Sequence, residues 1–143
     1  MKALKIKIGK DKNVEISNAE KAKRVNQLLD IVKLLNREIR GREENLSPVF
    51  VVGGVYDINS PFFLGRIKLI GKNGEFSVDA SMLKDAMTLT VGDKLIYDDT
   101  KIGVLKNVFK NEEELEKTFE NKITNIENFF NELKSKVSGY YND

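Results

Sequence analysis

Arg37, Arg40, Arg42 and Arg66 are four of the five arginines in this 143-residue chain, and they flank a single apolar stretch. Gly53-Gly54, Tyr56, Phe62 and Phe63 lie between or beside them. A guanidinium group pairs bidentately with phosphate or carboxylate, and an aromatic ring offers a face on which a base stacks. Together these residue types can grip single-stranded nucleic acid. A basic surface can equally meet an acidic protein partner. Simpler roles stand beside these. Arg37 and Arg40 would fall in the last turn of a helix, where the macrodipole favours cations. Phe62 and Phe63 carry the large apolar area typical of core residues. Gly53-Gly54 allows a kink, a positive φ or the close approach of another chain.

Catalytic chemistry finds little support. The chain has no histidine and no cysteine, so Ser-His-Asp and Cys-His arrangements are excluded, as are disulfides and thiolate metal sites. Asp98-Asp99 is the only adjacent aspartate pair; it sits in an apparent turn, where aspartates serve turn chemistry. Gly53-Gly54 lacks the GxGxxG spacing, and no Walker pattern is present. The expectation is a non-enzymatic protein with no metal, no cofactor and no small-molecule substrate.

The elements that must position these residues read as follows. Leu4, Ile6 and Ile8 alternate with lysines as in a half-buried strand. A turn over Gly9–Asn13 leads to a short return through Val14 and Ile16. Ser17-Asn18-Ala19-Glu20 is a capping box. It starts a helix with apolar residues at Ala22, Val25, Leu28, Leu29, Val32, Leu35 and Ile39, which runs to about Arg40 and stops at Gly41. Val49-Phe50-Val51-Val52 is continuously apolar, as in a strand buried on both faces, and is expected at the centre of the sheet.

Leu64–Ile70 reads as another strand, and Asn73-Gly74 as a hairpin turn returning through Phe76 and Val78. Asp79 caps a short helix over Ala80–Met87, and Gly92-Asp93 makes a turn. Leu95–Tyr97 and Ile102–Leu105 read as short strands around Asp98-Asp99-Thr100. Asn111, with Glu114 three residues on, caps a last helix striped by Leu115, Phe119, Ile123, Ile126, Phe129, Phe130, Leu133 and Val137, which Gly139 ends. The predicted fold is one α+β domain over residues 1–143. It is RRM/ferredoxin-like, with a mixed, largely antiparallel sheet and the helices on one face.

The net charge of +2 is small, but its distribution is uneven. Lysines and arginines load the first third, and Glu112, Glu113, Glu114, Glu116 and Glu120 load the last. Such asymmetry suits a basic surface meeting an acidic partner, or two solvated faces. No apolar run approaches the ~20 residues of a membrane span. The start, MKALKIKIG, has no continuous apolar centre, so a cytoplasmic location is expected.

The stretch RGREENLSPVFVVGGVYDINSPFF, continuing through LGRIKL, resembles the C-terminal half of the repeated backbone subunit of type I-B CRISPR Cascade complexes, the DevR-type subunit that coats the guide RNA. Val25–Ile39 and DTKIGVLKNVFKNEEE look similar too. The resemblance covers roughly Lys21 to the end, within residues 17–143, and the leading strand pair of residues 1–16 has no match in it. It implies an RRM-like sheet, and copies that line up along guide RNA and grip it without cleavage. Arg37, Arg40, Arg42, Gly53, Gly54, Tyr56 and Arg66 are the candidate residues for meeting RNA or a partner. The family's subunits are about twice as long, and the half without counterpart here carries much of the RNA grip. The chain is therefore expected to bind Cascade backbone subunits and to obstruct or cap their assembly by mimicry. The alternative is a working crRNA-binding backbone subunit, or its C-terminal fragment, acting in CRISPR defence.

Overall fold

The computed structural model describes residues 5–7 and 13–142 of the chain. Strands β1 (Lys5–Lys7) and β2 (Asn13–Glu15) pair antiparallel, as their alternation suggested. Leu4, Ile8 and most of the expected turn lie outside the described residues. Helix α1 (Asn18–Lys33) starts where the capping pattern placed it, with the Glu20 amide donating to Ser17 Oγ (3.2 Å).

The helix ends earlier than its apolar spacing suggested. Leu34 caps it, and the chain enters a two-stranded ribbon, β3 (Asn36–Ile39) and β4 (Arg42–Asn45). Arg40 (φ 52°) and Gly41 (φ 74°) form the connecting turn. Consecutive positive φ values at the two central residues match the twist of a hairpin. Gly41 thus serves a hairpin turn, where the same residue could have ended a helix. Arg37 and Arg40 are not in a helical last turn.

The following apolar strand, β5 (Phe50–Gly54), is half-buried and lies at an edge. This corrects the expectation of a central, doubly buried strand over Val49–Val52. Leu64–Ile70 is also redistributed. Residues 62–65 form a turn ending at Gly65 (φ 71°), and the strand begins only at β6 (Leu69–Lys72). Asn73-Gly74 then turns the chain into β7 (Glu75–Val78), both residues having positive φ. Helix α2 (Ala80–Met87) is capped by Asp79, whose carboxylate accepts from the Met82 amide (3.0 Å) and Ser81 Oγ (2.9 Å).

Strands β8 (Thr90–Val91) and β9 (Lys94–Leu95) flank the Gly92-Asp93 turn. The strand expected over Leu95–Tyr97 is instead mostly one helical turn, α3 (Ile96–Asp99). Its Ile96 side chain is buried, and the Ile96 carbonyl accepts from Thr100 Oγ1 (2.6 Å). The turn delivers Thr100 to β10 (Thr100–Val104), the strand at the centre of the sheet. Antiparallel β5 borders it on one side, and on the other runs parallel β11 (Ile123–Asn125).

Strand β11 exists because the expected long last helix is broken in two. Helix α4 (Glu112–Phe119) runs into a 3₁₀ turn over Glu120–Lys122, where Glu120 takes a positive φ (34°), and α5 (Ile126–Asn142) starts after β11. Phe119, Ile123 and Ile126 keep helical spacing across the break, so the stripe conceals it. The β-branched pair Ile123-Thr124 gains more as a strand against Ile102 and Gly103. The Asn125 carboxamide oxygen accepts from the Asn128 amide (2.8 Å) and restarts the helix. Gly139 lies inside α5 rather than ending it. Asn111 does precede α4, but its side chain is diverted. It exchanges hydrogen bonds with the Val78 backbone (3.1 and 2.8 Å) and so ties α4 to β7.

The chain is α+β. Among the described residues, five α-helices accompany small sheets whose pairings are antiparallel except for β10–β11, roughly compatible with a ferredoxin-like arrangement. Helix α5 lies on one face of the β5–β10–β11 sheet, and α1 packs on α5. On the other face, Ile102 and Val104 join Leu83 and Met87 of α2 and Leu115 and Phe119 of α4 in the main core cluster. No helix among the described residues is long and apolar enough to cross a membrane.

Candidate binding surface

The predicted site residues separate into three places. Arg37, Arg40 and Arg42 lie on the β3–β4 ribbon, exposed along its whole length. Side chains on a ribbon alternate between its two faces. Arg37, Ile39, Arg42 and Glu44 therefore share one face, while Glu38 and Glu43 stand opposite each other on the other. Arg37 is engaged by Glu44 across the strands (2.7 Å). Ribbon charge is balanced, with Arg37, Arg40 and Arg42 set against Glu38, Glu43 and Glu44.

Gly53, Gly54 and Tyr56 form the second place, beside the end of β10. Gly53 pairs with Lys101 and Gly54 with Thr100. A Cβ on Gly54 would fall on the Asp99 carbonyl, whereas Gly53 faces open space. The close approach that the glycine pair permitted is therefore made at Gly54, to α3. Tyr56 bonds Thr100 through the two hydroxyls (2.8 Å) and packs edge-to-face on buried Phe62, with centroids 5.0 Å apart. Burial pushes its phenol above the ordinary value, against the opposing effect of the Thr100 hydrogen bond. Half-buried and engaged on both sides, Tyr56 anchors the strand end. Arg66 occupies the third place, exposed beyond the 62–65 turn, where its amide closes on the Phe63 carbonyl (3.1 Å).

Sequence reasoning missed a group of lysines around α3. Lys122 Nζ donates to the Asp98 carbonyl (2.8 Å) and sits 4.8 Å above the Tyr97 ring. Lys136 approaches the Asp99 carbonyl (3.4 Å), and Lys101 reaches the Asn121 carbonyl (3.0 Å) and Glu132 (3.2 Å). Desolvation lowers the Lys122 ammonium from its ordinary value, Asp98 raises it, and Lys101 and Lys136 lower it further. Lys101 and Lys136, with Gly53, Gly54 and Asp99, line a small cleft. Their scatter along the sequence hid the cluster. Asp98 and Asp99 belong to this local network. Among the described residues no group of three or more acidic, histidine or cysteine side chains is placed to hold a metal.

The helix pair behind the sheet is clamped by ion pairs. Lys134 meets Asp30 (2.7 Å) and Lys33 meets Glu127 (2.9 Å). The hydrogen bonds and charges of these lysines hold both carboxyls below their ordinary values of 3.8 and 4.5. A carboxylate with a depressed folded-state pKa contributes stability above its unfolded value and loses it as pH falls through the folded value. The denaturation midpoint is therefore expected to hold steady well above 4.5 and to fall as pH drops below 3.8. Lys134→Met should make that fall shallower, as read by chemical denaturation across an acid pH series.

Compared with known proteins, the chain matches no family model, no curated protein and no solved structure.

Proposed function

We propose that the chain is a non-enzymatic cytoplasmic binding protein that docks on CRISPR Cascade backbone subunits through protein contacts and thereby obstructs or caps their assembly. The Cascade partner comes from the resemblance carried by residues 40–69. The observation that carries protein contact over guide RNA is the charge balance of the β3–β4 ribbon. Three exposed arginines and three exposed glutamates share the ribbon. A surface that grips a phosphate backbone accumulates one sign of charge, whereas one of mixed sign suits a protein surface of complementary pattern. Tyr56 and Phe62 pack on one another, which leaves fewer aromatic faces for stacking on bases. Arg40, Arg42 and Arg66 add a modest salt-dependent contribution.

A pull-down of the purified protein against the type I-B backbone subunit, with and without guide RNA and over a salt series, tests this. Capture of the subunit should not require RNA and should fall less steeply with salt than direct phosphate contact does. Direct phosphate contact would instead lower log affinity with log salt by roughly one unit of slope per contact. Steep binding to free guide RNA, with none to the subunit, would support the RNA-coating alternative. Binding to neither would end the Cascade reading.

A further inference from the structure

Strand β5 has both faces covered and one edge open. Phe50 and Val52 pack on the main core cluster, with Phe50 edge-to-face on Phe109. Val51 points the other way, beside Gly103 and Phe129 of α5. All five residues of β5 are nonetheless only half-buried, whereas four of the five on neighbouring β10 are buried. With the faces covered, the difference arises at the edge that β10 does not occupy.

The hydrogen-bond pattern defines what that edge presents. The Leu105 amide donates to the Val49 carbonyl (2.9 Å). Antiparallel alternation then gives Val51 and Gly53 the bonds to Gly103 and Lys101. The N–H and C=O groups of Phe50, Val52 and Gly54 point away from β10, and none has a backbone partner among the described residues. Sheet edges are commonly blunted by a charge, a proline or a bulge. Within Phe50–Gly54 there is none of these, and the register with β10 is regular throughout.

We propose that β5 pairs antiparallel with β5 of a second copy, about a two-fold axis at Val52, joining the two three-stranded sheets into one. The open groups are symmetric about Val52. In this register Val52 meets its own counterpart and Phe50 meets Gly54 of the second copy, so the outward groups are satisfied by about six backbone bonds. A glycine opposite each phenylalanine leaves room for the ring. An isologous contact sets a surface against itself, and β5 carries no charge to repel its counterpart. Layering selects a second copy over a lone extended peptide. The copy brings its own α5 and core cluster to the two faces, so the apolar side chains at the seam stay covered on both sides. A bare strand brings neither layer.

An edge contact of this size belongs with weak, transient interfaces. Residue-resolved amide hydrogen exchange of the purified full chain, run beside sedimentation equilibrium over a concentration series, tests it. In dilute solution the Val51 and Gly53 amides should be protected and those of Phe50, Val52 and Gly54 should exchange freely. As the mass rises from one chain toward two, with protein approaching about 1 mM, exchange at the latter three should slow in step. Val52→Pro removes an outward N–H that β10 does not use, at an edge position where proline is tolerated. It should weaken association about tenfold or more, with circular dichroism and the protection of Val51 and Gly53 reporting the fold. A single chain at every concentration, a dimer in which Val52 stays unprotected, or a folded Val52→Pro variant that associates normally would overturn the pairing. So would an open-ended series of larger species, or protection of Phe50, Val52 and Gly54 that appears only when the Cascade subunit is added. The inference goes beyond the Cascade reading and is measured first without any Cascade component, so the failure of either is read separately.

Discussion

Phe119→Ala is expected to destabilise the protein by about 3–5 kcal/mol, the range for truncating a buried phenylalanine. Phe119 is fully buried, in a cluster with Leu83, Met87, Ile102 and Leu115. It is also the last residue of α4, just before the turn that carries the chain into β11. The cavity would therefore open at the seam joining α2, α4 and the central strand. Relaxation there is restricted, because β10 is held on both sides by β5 and β11. Against a typical domain stability of about 5–15 kcal/mol, the loss takes a large share. Urea denaturation reads it directly. A shift below about 1 kcal/mol would mean that the site collapses freely or that Phe119 is not in the core. Phe50→Ala should cost less, since Phe50 is half-buried on the edge strand.

Gly54→Ala should be the most damaging glycine-to-alanine change among the described residues, while Gly53→Ala should be close to neutral. The added Cβ at Gly54 would fall on the Asp99 carbonyl oxygen and press the Tyr56 ring at 3.2 Å. The carbonyl is backbone, at the junction of α3 with β10, so no rotamer change relieves the overlap. Overpacking costs about 1–3 kcal/mol where side chains can yield, and more where they cannot. Gly53, one residue earlier on the same strand, has no atom within 4 Å of such a Cβ. Denaturation midpoints of the two variants, measured side by side, separate backbone crowding from any general intolerance of β5. Equal effects would refute the packing described here. A normal midpoint for Gly53→Ala also makes that variant a clean probe of the cleft it shares with Lys101 and Lys136.

Local chemistry was legible wherever the residues concerned are neighbours in sequence. Ser17 and Asp79 read as caps because a short polar side chain before an apolar-periodic run has few better uses. Asn73-Gly74 reads as a hairpin turn because both residues tolerate positive φ. The α+β class followed from the mixture of alternating and helical spacing. The absence of histidine and cysteine by itself narrows the accessible chemistry.

The errors lie where a pattern has two solutions that only distant residues decide between. Ile39 and Gly41 continue and end a helix as well as they complete a hairpin strand and its turn. Arg37 and Glu44 face each other across the ribbon, a pairing that helical spacing does not show. Phe119, Ile123 and Ile126 fit an unbroken helix, yet β10 needs a second strand beside it, and Ile123–Asn125 supplies it. The apolar run of β5 suggested a central strand, but position in a sheet is set by which neighbours form ladders, not by a strand's own hydrophobicity.

The same division holds for the binding surface. Its residue types are fixed by the sequence alone: arginines with interspersed glutamates, a glycine pair, a tyrosine and a scatter of lysines. Tertiary structure decided which of them act together. It lifted Arg37, Arg40 and Arg42 onto an exposed ribbon, seated Tyr56 against Thr100 and Phe62, and gathered Lys101, Lys122 and Lys136 around α3. The physical reason is range. Caps and turns are settled by bonds spanning a few residues, whereas sheet order and surface clusters come from burying apolar side chains that lie far apart along the chain.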